Sequence, residues 1–224
     1  MERIVIIGGH GKVALHLARL LAERGDEATS VIRNPDHASD VREAGAQPLE
    51  LDVEKADLDA MADAFAGADA VVWSAGAGGG SAERTYAVDR DAAIRAIDAA
   101  AKAGVRRFVM VSWIGSTPDH GISPDDDFFA YADAKLAADD HLRQSDLDWT
   151  ILGPGTLTLD PPTGRITTAP EGSGDVSRAD VAAVAAGSLV QSATIGRFIR
   201  FGQGETLIAE ALASEAGSGS TVDA

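Results

Sequence analysis

The sequence predicts an α/β fold: a Rossmann-type, doubly wound parallel sheet formed by a single domain. Short apolar runs alternate with longer segments of helical period along most of the chain, which is typical of parallel strands joined by right-handed helical crossovers. In addition, the glycine-rich turn Gly8-Gly9-His10-Gly11 directly follows the first apolar run. The length of 224 residues suits one such domain.

Each predicted strand is a short apolar run beside a turn signal. Ile4 to Ile7 is continuously apolar and ends at Gly8, which is typical of a strand buried on both faces of a parallel sheet. Further strands are predicted at residues 29–32, 48–51, 70–73, 108–111, 149–152, 165–168 and 198–201. We expect one domain over residues 1–214 and a disordered tail of small and polar residues over 215–224.

The predicted helices carry start and stop signals. The first begins near Val13 and stops at Gly25, and the second follows the cap residue Asn34, with Pro35 at its first position. Ser177 caps a late helix that extends to about residue 190. Further helices are predicted at residues 58–65, 84–103, 131–142 and 205–212.

Composition excludes several function classes. The chain has 19 basic against 35 acidic residues, a net charge of −16, which opposes binding to nucleic acid phosphates or anionic lipid. The absence of cysteine excludes disulfides, thiolate metal sites and a cysteine nucleophile. Without a predicted signal peptide or membrane span, we expect a cytoplasmic protein, a monomer or small homo-oligomer, that binds a small-molecule substrate.

The glycine turn predicts a dinucleotide site. Gly8 permits the tight turn, Gly11 lets a diphosphate approach the backbone, and Ala14 lets the following helix pack closely on the strand. The amides at the start of that helix attract phosphate. The residues expected to bind the cofactor here are Gly8, Gly9, His10, Gly11, Lys12 and Val13.

Arg33 predicts a preference for NADP(H) over NAD(H). It lies at the end of the second predicted strand, where a chain selective for NAD usually carries an acid for the ribose 2′-hydroxyl. A guanidinium there is suited to the 2′-phosphate of NADP, although an exposed loop arginine is the alternative.

Two further strand ends are expected to contact the cofactor. Asp52 and Val53 follow the third predicted strand and are placed to contact adenine, while a helix cap is the competing interpretation of Asp52. Ser74, Ala75 and Gly76 follow the fourth strand, where small residues let the backbone lie against the ribose and diphosphate.

Tyr131 and Lys135 predict acid–base chemistry. Four residues apart on one helix, their side chains share a face, so the ammonium is expected to lower the tyrosine pKa and to hold the nicotinamide ribose. Ser112, directly after the fifth strand, is the first candidate for the hydroxyl that orients a substrate carbonyl; Ser116 and Thr117 are the competitors. Trp113 either lines a substrate pocket or packs on the loop, and the acidic residues near His120 indicate a solvated loop and no metal site.

Together these motifs resemble the short-chain dehydrogenase/reductase superfamily, in particular its atypical NmrA-like and NAD-dependent epimerase/dehydratase-like branch. The resemblance covers about residues 3–212 and includes Asp148-Trp149-Thr150-Ile151-Leu152-Gly153-Pro154-Gly155 and Ser177-Arg178-Ala179-Asp180-Val181-Ala182. It implies that Pro154 contacts the cofactor. Gly153 departs from the arginine frequent in the family, and His10-Gly11-Lys12 departs from its common Ala-Thr-Gly.

Two functions remain as hypotheses. The first is an NADP(H)-dependent oxidoreductase that moves hydride between the nicotinamide and a small carbonyl, alcohol or quinone-like substrate, with Tyr131, Lys135 and Ser112 as catalytic residues. The second is a non-catalytic, redox-sensing regulator or interaction protein that binds NADP(H). The substrate loops are expected at about residues 113–127 and 153–176.

Overall fold

A sheet of nine strands runs through the centre of the molecule. The structure, a computed structural model, describes residues 1–79, 81–168, 170, 172 and 174–214, so the predicted tail over 215–224 lies outside the described residues. The strands are β1 Arg3–Ile7, β2 Glu27–Ile32, β3 Gln47–Glu50, β4 Ala70–Trp73, β5 Arg107–Val111, β6 Asp148–Pro154, β7 Thr156–Thr158, β8 Arg165–Thr168, β9 Asp175–Ser177, β10 Arg197–Gln203 and β11 Thr206–Leu207. Their order in the main sheet is β11-β8-β10-β6-β5-β4-β1-β2-β3, while β7 and β9 form a separate parallel pair.

Seven strands, from β10 to β3, are parallel, whereas β8 and β11 are antiparallel to their neighbours. This arrangement confirms the predicted doubly wound α/β fold. The chain starts at β1 and winds in opposite directions toward β2 and β4. The carboxyl ends of these three strands therefore border the point at which the strand order reverses, where ligands bind in such folds.

Helices cover both faces of the sheet. They are α1 Lys12–Arg24, α2 Ala38–Glu43, α3 Leu58–Phe65, α4 Ala82–Thr85, α5 Ala93–Lys102, α6 Phe129–Arg143, α7 Arg178–Val190 and α8 Ile208–Ser214. Along β1, Ile4 and Ile6 pack in the core beneath α1 and α7, whereas Val5 and Ile7 pack beneath α3, α5 and α6. This alternation follows from the two-residue period of a strand. Among the described residues no helix is long and apolar enough to cross a membrane.

Several local signals act as predicted. Gly25 ends α1 in a left-handed conformation, the Asn34 side chain accepts a hydrogen bond from the amide of Asp36, and Ser177 caps α7. Asn34 and Pro35 begin a short 3₁₀ turn, and α2 begins only after it, at Ala38.

The predicted helix over 84–103 differs from the structure. Three consecutive segments occupy this region: α4, a π-helical segment at Tyr86–Ala92, and α5. A π-helical turn contains one more residue than an α-helical turn. The side chains of α4, before the segment, are therefore rotated about the helix axis relative to those of α5, after it. The helix predicted from residue 205 begins instead at Ile208, because β11 occupies the residues before it.

Candidate cofactor cleft and reaction site

A cleft of about 330 Å³ lies over the carboxyl ends of β1 to β4. It brings together the glycine turn, the end of β2, the segment after β3 and the segment after β4. Its lining residues are Gly8, Gly9, His10, Gly11, Val31, Ile32, Arg33, Asn34, His37, Leu51, Asp52, Val53, Glu54, Ser74, Ala75, Gly76, Arg84 and Val88. Most of the predicted cofactor contacts therefore share one cavity, whereas Lys12, Val13, Lys135 and Pro154 are not part of its lining.

The glycine turn fits tightly into the fold. At Gly8, which has a φ of 79°, a Cβ atom would stand 2.6 Å from the Cα of Ala75, and at Gly9 one would stand 2.4 Å from the Cβ of Ser30. The turn is closed by a hydrogen bond of 2.8 Å from the Gly11 amide to the Gly8 carbonyl. Side chains are thus excluded where the backbone must pass between β2 and β4.

The start of α1 faces this turn without a side-chain cap. Gly11 is the cap residue, no side chain bonds to the first amides, and the first turn contains no acid. The first amides of a helix lack partners within it and attract anions. The glycine cradle and this helix start fit the diphosphate of a dinucleotide. Lys12 is exposed and Val13 is buried behind the turn.

Three charged side chains meet at the adenosine end of the cleft. Arg33 Nη1 and Arg84 Nε each lie 3.6 Å from the same oxygen, Oε2 of Glu54. Asp52 lines the cleft, but it is not a helix cap: Asp57 caps α3, and the Asp52 carboxylate accepts a hydrogen bond from the Glu54 amide at 3.3 Å within the turn after β3. The sequence did not single out Glu54 or Arg84, since nothing local places them beside Arg33.

Two histidines stack at the rim of the same cleft. The rings of His10 and His37 are 3.6 Å apart between centroids, and Nε2 of His10 lies 2.8 Å from Oδ2 of Asp40. His10 was predicted from the glycine turn. His37 and Asn34 were missed as site residues, although Asn34 was recognised as a cap.

Behind the cleft wall that follows β4 lies Asp89, a buried acid in the π-helical segment. Asp89 is 1% exposed, and its carboxylate accepts a hydrogen bond of 2.9 Å from the Ala77 amide. A Cβ atom at Gly76 would lie 3.1 Å from the other oxygen of Asp89. Asp89 therefore supports the small-residue segment that lines the cleft.

The prediction that Lys135 lowers the pKa of Tyr131 is wrong. Burial raises the pKa of Tyr131 above its ordinary value, and the negative charges of Asp89 and Asp139 raise it further. Lys135 lies on the same helix, as predicted, but it is 1% exposed and its ammonium donates to the Val111 carbonyl at 2.9 Å. Acidic neighbours and burial therefore dominate the environment of the phenol.

Ser112 and Ser116, the two leading candidates for the orienting hydroxyl, share one acceptor. Their hydroxyls donate to Oδ2 of Asp139 at 2.5 and 2.6 Å. Asp139 is fully buried, and its other oxygen has no hydrogen-bond partner among the described residues. Burial raises the pKa of Asp139, and the opposing effects of Lys135 and the two serines do not cancel this.

Sequence reasoning missed Asp139, although a signal was present. Tyr131, Lys135 and Asp139 follow one another at intervals of four residues, which places all three on one face of α6. The pattern becomes informative once the loop after β5 is known to pack against that face.

Aromatic side chains pack beside this cluster. The ring centroids of Trp113 and Phe128 are 5.1 Å apart, and those of Trp113 and Tyr131 are 6.3 Å apart. A Cβ atom at Gly115 would lie 2.2 Å from the Trp113 ring, so Trp113 packs on its own loop. No group of three potential metal ligands occurs among the described residues.

The end of β6 carries Gly153, one of the departures from the family pattern. At Gly153 a Cβ atom would lie 2.6 Å from the Phe198 ring and 3.2 Å from the Trp113 carbonyl oxygen, so a longer side chain at this position would require the ring to move. Pro154 is buried beside it, and its carbonyl accepts a hydrogen bond from the Ile114 amide at 2.9 Å.

Comparison with known proteins gives the family. The family described as NAD(P)H-binding matches residues 8–192. The chain belongs to this NAD(P)H-binding family. A nicotinamide dinucleotide is therefore the class of cofactor that suits the cleft, in agreement with the glycine cradle.

Relatives of similar length support the same assignment. The uncharacterized sugar epimerase YhfK of Bacillus subtilis is 33% identical over 94% of this chain and 98% of its own. A solved structure from Bacillus halodurans, named for an NAD-dependent epimerase/dehydratase, is 35% identical with a TM-score of 0.88 over 95% of this chain and 99% of its own. The oxidoreductase ylbE from Lactococcus lactis is 31% identical with a TM-score of 0.85 over 95% of both chains. The predicted family resemblance is confirmed, and the fold is oxidoreductase-like.

Proposed function

We propose that the protein is an NADP(H)-dependent oxidoreductase that transfers hydride between the nicotinamide and a small carbonyl, alcohol or quinone-like substrate. The observation that carries this proposal is the connection between the cofactor cleft and Tyr131. The cleft extends to Val88, and the next residue, Asp89, supports the cleft wall and acts electrostatically on Tyr131. Asp89 thus links the wall of a cavity suited to a dinucleotide to the phenol of Tyr131, the proton donor of this proposal.

Reduction is the direction favoured by the acidic surroundings of Tyr131. The raised pKa of Tyr131 disfavours the phenolate that oxidation of an alcohol needs as general base, whereas the protonated phenol can give its proton in the reducing direction. When bound, NADPH supplies hydride from C4 of its nicotinamide to the substrate carbonyl carbon. As the C=O π bond breaks, the Tyr131 hydroxyl gives its proton to the oxygen, and water then returns a proton to Tyr131. In this proposal Lys135 holds the nicotinamide ribose, and Ser112 orients the oxygen after its hydroxyl turns from Asp139 to the substrate.

Arg33 supports a preference for NADPH over NADH. Its side chain is 57% exposed at the rim of the adenosine end, where a guanidinium is free to approach a 2′-phosphate. The expected result is a lower dissociation constant for NADPH than for NADH in fluorescence titrations. Equal constants for the two dinucleotides would refute the preference.

The alternative function is a redox-sensing regulator that holds NADP(H) without chemistry. The arrangement of Ser112 favours it, because a hydroxyl that donates to Asp139 has no second proton for a substrate carbonyl. Dinucleotide binding without NADPH oxidation across a panel of aldehydes, ketones and quinones, together with a protein partner recovered by pull-down, would support this alternative.

Replacing Tyr131 tests the catalytic proposal. On the best acceptor from that panel, Tyr131→Phe is expected to lower kcat about 100-fold, the contribution of a positioned general acid, with the dissociation constant for NADPH unchanged. Tyr86→Phe is the matched control: this other tyrosine of the chain stacks under Arg90, and burial and the nearby Asp133 raise its pKa as well. Full turnover by Tyr131→Phe would exclude Tyr131 as the acid.

The same proposal places the protein in the cytoplasm as a monomer or small homo-oligomer that acts on a small molecule. Light scattering coupled to size-exclusion chromatography measures the oligomeric state directly. A large assembly, or a mass that corresponds to a complex with another macromolecule, would contradict this part of the proposal.

A further inference from the structure

The charge arrangement at the adenosine end indicates a second determinant of cofactor choice, and this inference rests on the proposed use of nicotinamide dinucleotides. We infer that Glu54 is a specificity-determining residue: its carboxylate accepts the ribose 2′-hydroxyl of NADH and opposes the 2′-phosphate of NADPH. Arg33 and Arg84 act in the opposite direction. The chain therefore retains use of both dinucleotides.

Glu54 supplies the acid that is absent from the end of β2. In chains selective for NAD, an acid at the end of the second strand bonds to the ribose, and here that position is Arg33. Glu54 comes from the turn after β3, yet it lines the same cleft and lies 3.6 Å from the Arg33 guanidinium. A carboxylate thus reaches the ribose end of the cleft from the neighbouring strand.

The turn that carries Glu54 is held in place from α5. The Arg95 guanidinium donates to the carbonyls of Val53, Glu54 and Ala56 at 3.2, 3.1 and 3.2 Å. These three hydrogen bonds fix the backbone of the turn, so the Cα atom of Glu54 and the direction of its side chain are defined. This anchoring is what a specificity residue requires.

The second arginine is fixed as well. Arg84 Nη1 donates to the Ala77 carbonyl at 2.7 Å, while its Nε lies 3.6 Å from Glu54. Both arginines stand beyond hydrogen-bond distance from Glu54, and no described residue donates a hydrogen bond to that carboxylate. Glu54 consequently keeps acceptor capacity for a ligand hydroxyl, and the side chain is 29% exposed to receive it.

NADH and NADPH differ only at the 2′ position of the adenosine ribose, and the Glu54 carboxylate interacts differently with the two groups found there. The hydroxyl of NADH is a donor to the carboxylate, whereas the phosphate of NADPH adds about two negative charges next to it. The arginines favour the phosphate. Removing the Glu54 charge should therefore strengthen NADPH binding and weaken NADH binding at the same time.

Fluorescence titration of wild type and Glu54→Gln with NADPH and with NADH tests the inference without any turnover. The ratio of the NADH to the NADPH dissociation constant is expected to rise at least about fivefold in Glu54→Gln, a size typical of partly exposed charge interactions. Arg84→Gln should lower the same ratio. Glu43→Gln, an exposed α2 position outside the cleft, is the matched control and should leave the ratio unchanged.

The outcomes separate this inference from the proposed function. A ratio that stays constant or falls in Glu54→Gln, while wild type binds both dinucleotides, overturns the role of Glu54 and leaves the cofactor class intact. A wild-type protein that binds neither dinucleotide overturns both proposals. Circular dichroism of each variant, compared with wild type, excludes a loss of folding as the cause.

Discussion

At the cofactor end, over β1 to β4, backbone atoms and glycines shape the cleft, and the charged side chains stand at its exposed rim. At the reaction end, beside β5 and α6, buried side chains form the structure: Asp139 accepts from Ser112 and Ser116, and the Lys135 ammonium bonds to a strand carbonyl. The shape of the cofactor end depends on glycines that leave room for the backbone. The structure of the reaction end depends on the charges and hydrogen bonds of its buried side chains. Substitutions should therefore damage the two ends in different ways.

The largest effect is expected from a methyl group in the glycine turn. Gly8→Ala adds a Cβ atom 2.6 Å from the Ala75 backbone in a left-handed conformation, so we expect a loss of several kcal/mol of unfolding free energy and no measurable dinucleotide binding. Gly25→Ala is the control, because Gly25 shares the left-handed conformation but has open space around it. It should cost about 1 kcal/mol and leave binding unchanged. Similar losses in both variants would show that conformation, not crowding, dominates at Gly8. Chemical denaturation and NADPH titration provide the measurements.

An intermediate effect is expected at the reaction end. Asp139→Ala leaves two buried hydroxyls without their acceptor, so unfolding free energy should fall by about 2–3 kcal/mol, while the dissociation constant for NADPH stays within about twofold. Asp140→Ala is the neighbouring control, since Asp140 is partly exposed and pairs with Arg143 at 2.6 Å. It should cost about 0.5 kcal/mol. A large loss of NADPH binding in Asp139→Ala would contradict the separation of the two ends.

The smallest effect is a dependence on pH. The pKa of Asp139 is raised in the folded protein, so its contribution to stability is fully present below about pH 4, where the unfolded aspartate titrates, and is lost as pH rises through the folded value. Wild type should therefore lose stability relative to Asp139→Asn as pH rises above about 4. Denaturation curves of both proteins at several pH values give this difference. A difference that is constant with pH would show that the pKa of Asp139 is the same in the folded and unfolded states.

The cofactor end was largely predictable because its signals are local. Gly8 and Gly11 follow a strand, Asn34 and Pro35 begin a turn, and Arg33 stands at a strand end, so the place of each in the fold follows from neighbours in the sequence. The family and the central sheet followed from the same kind of signal.

The remaining features depend on contacts between distant segments. Glu54 meets Arg33 and Arg84 only after three segments assemble, and Asp139 meets Ser112 across 27 positions of the chain. The missed strands β7, β9 and β11 have two or three residues each, too few to display a period, and their pairing partners are not sequence neighbours. The direction of the Tyr131 pKa likewise depends on burial of the side chain and on Asp89 and Asp139, which lie outside its own helix turn.

The π-helical segment sets the rotation of α4 about the helix axis relative to α5. Deleting one residue from Tyr86–Ala92 would restore a continuous α-helix and turn everything before the deletion by about 100° relative to α5. Arg84 would then rotate out of the adenosine end, and Asp89 could not face both the Ala77 amide and Tyr131, while the buried face of α5 would stay in place. The one extra residue of the π-helical segment thus sets the direction in which Arg84 faces the cofactor end and Asp89 faces the reaction end.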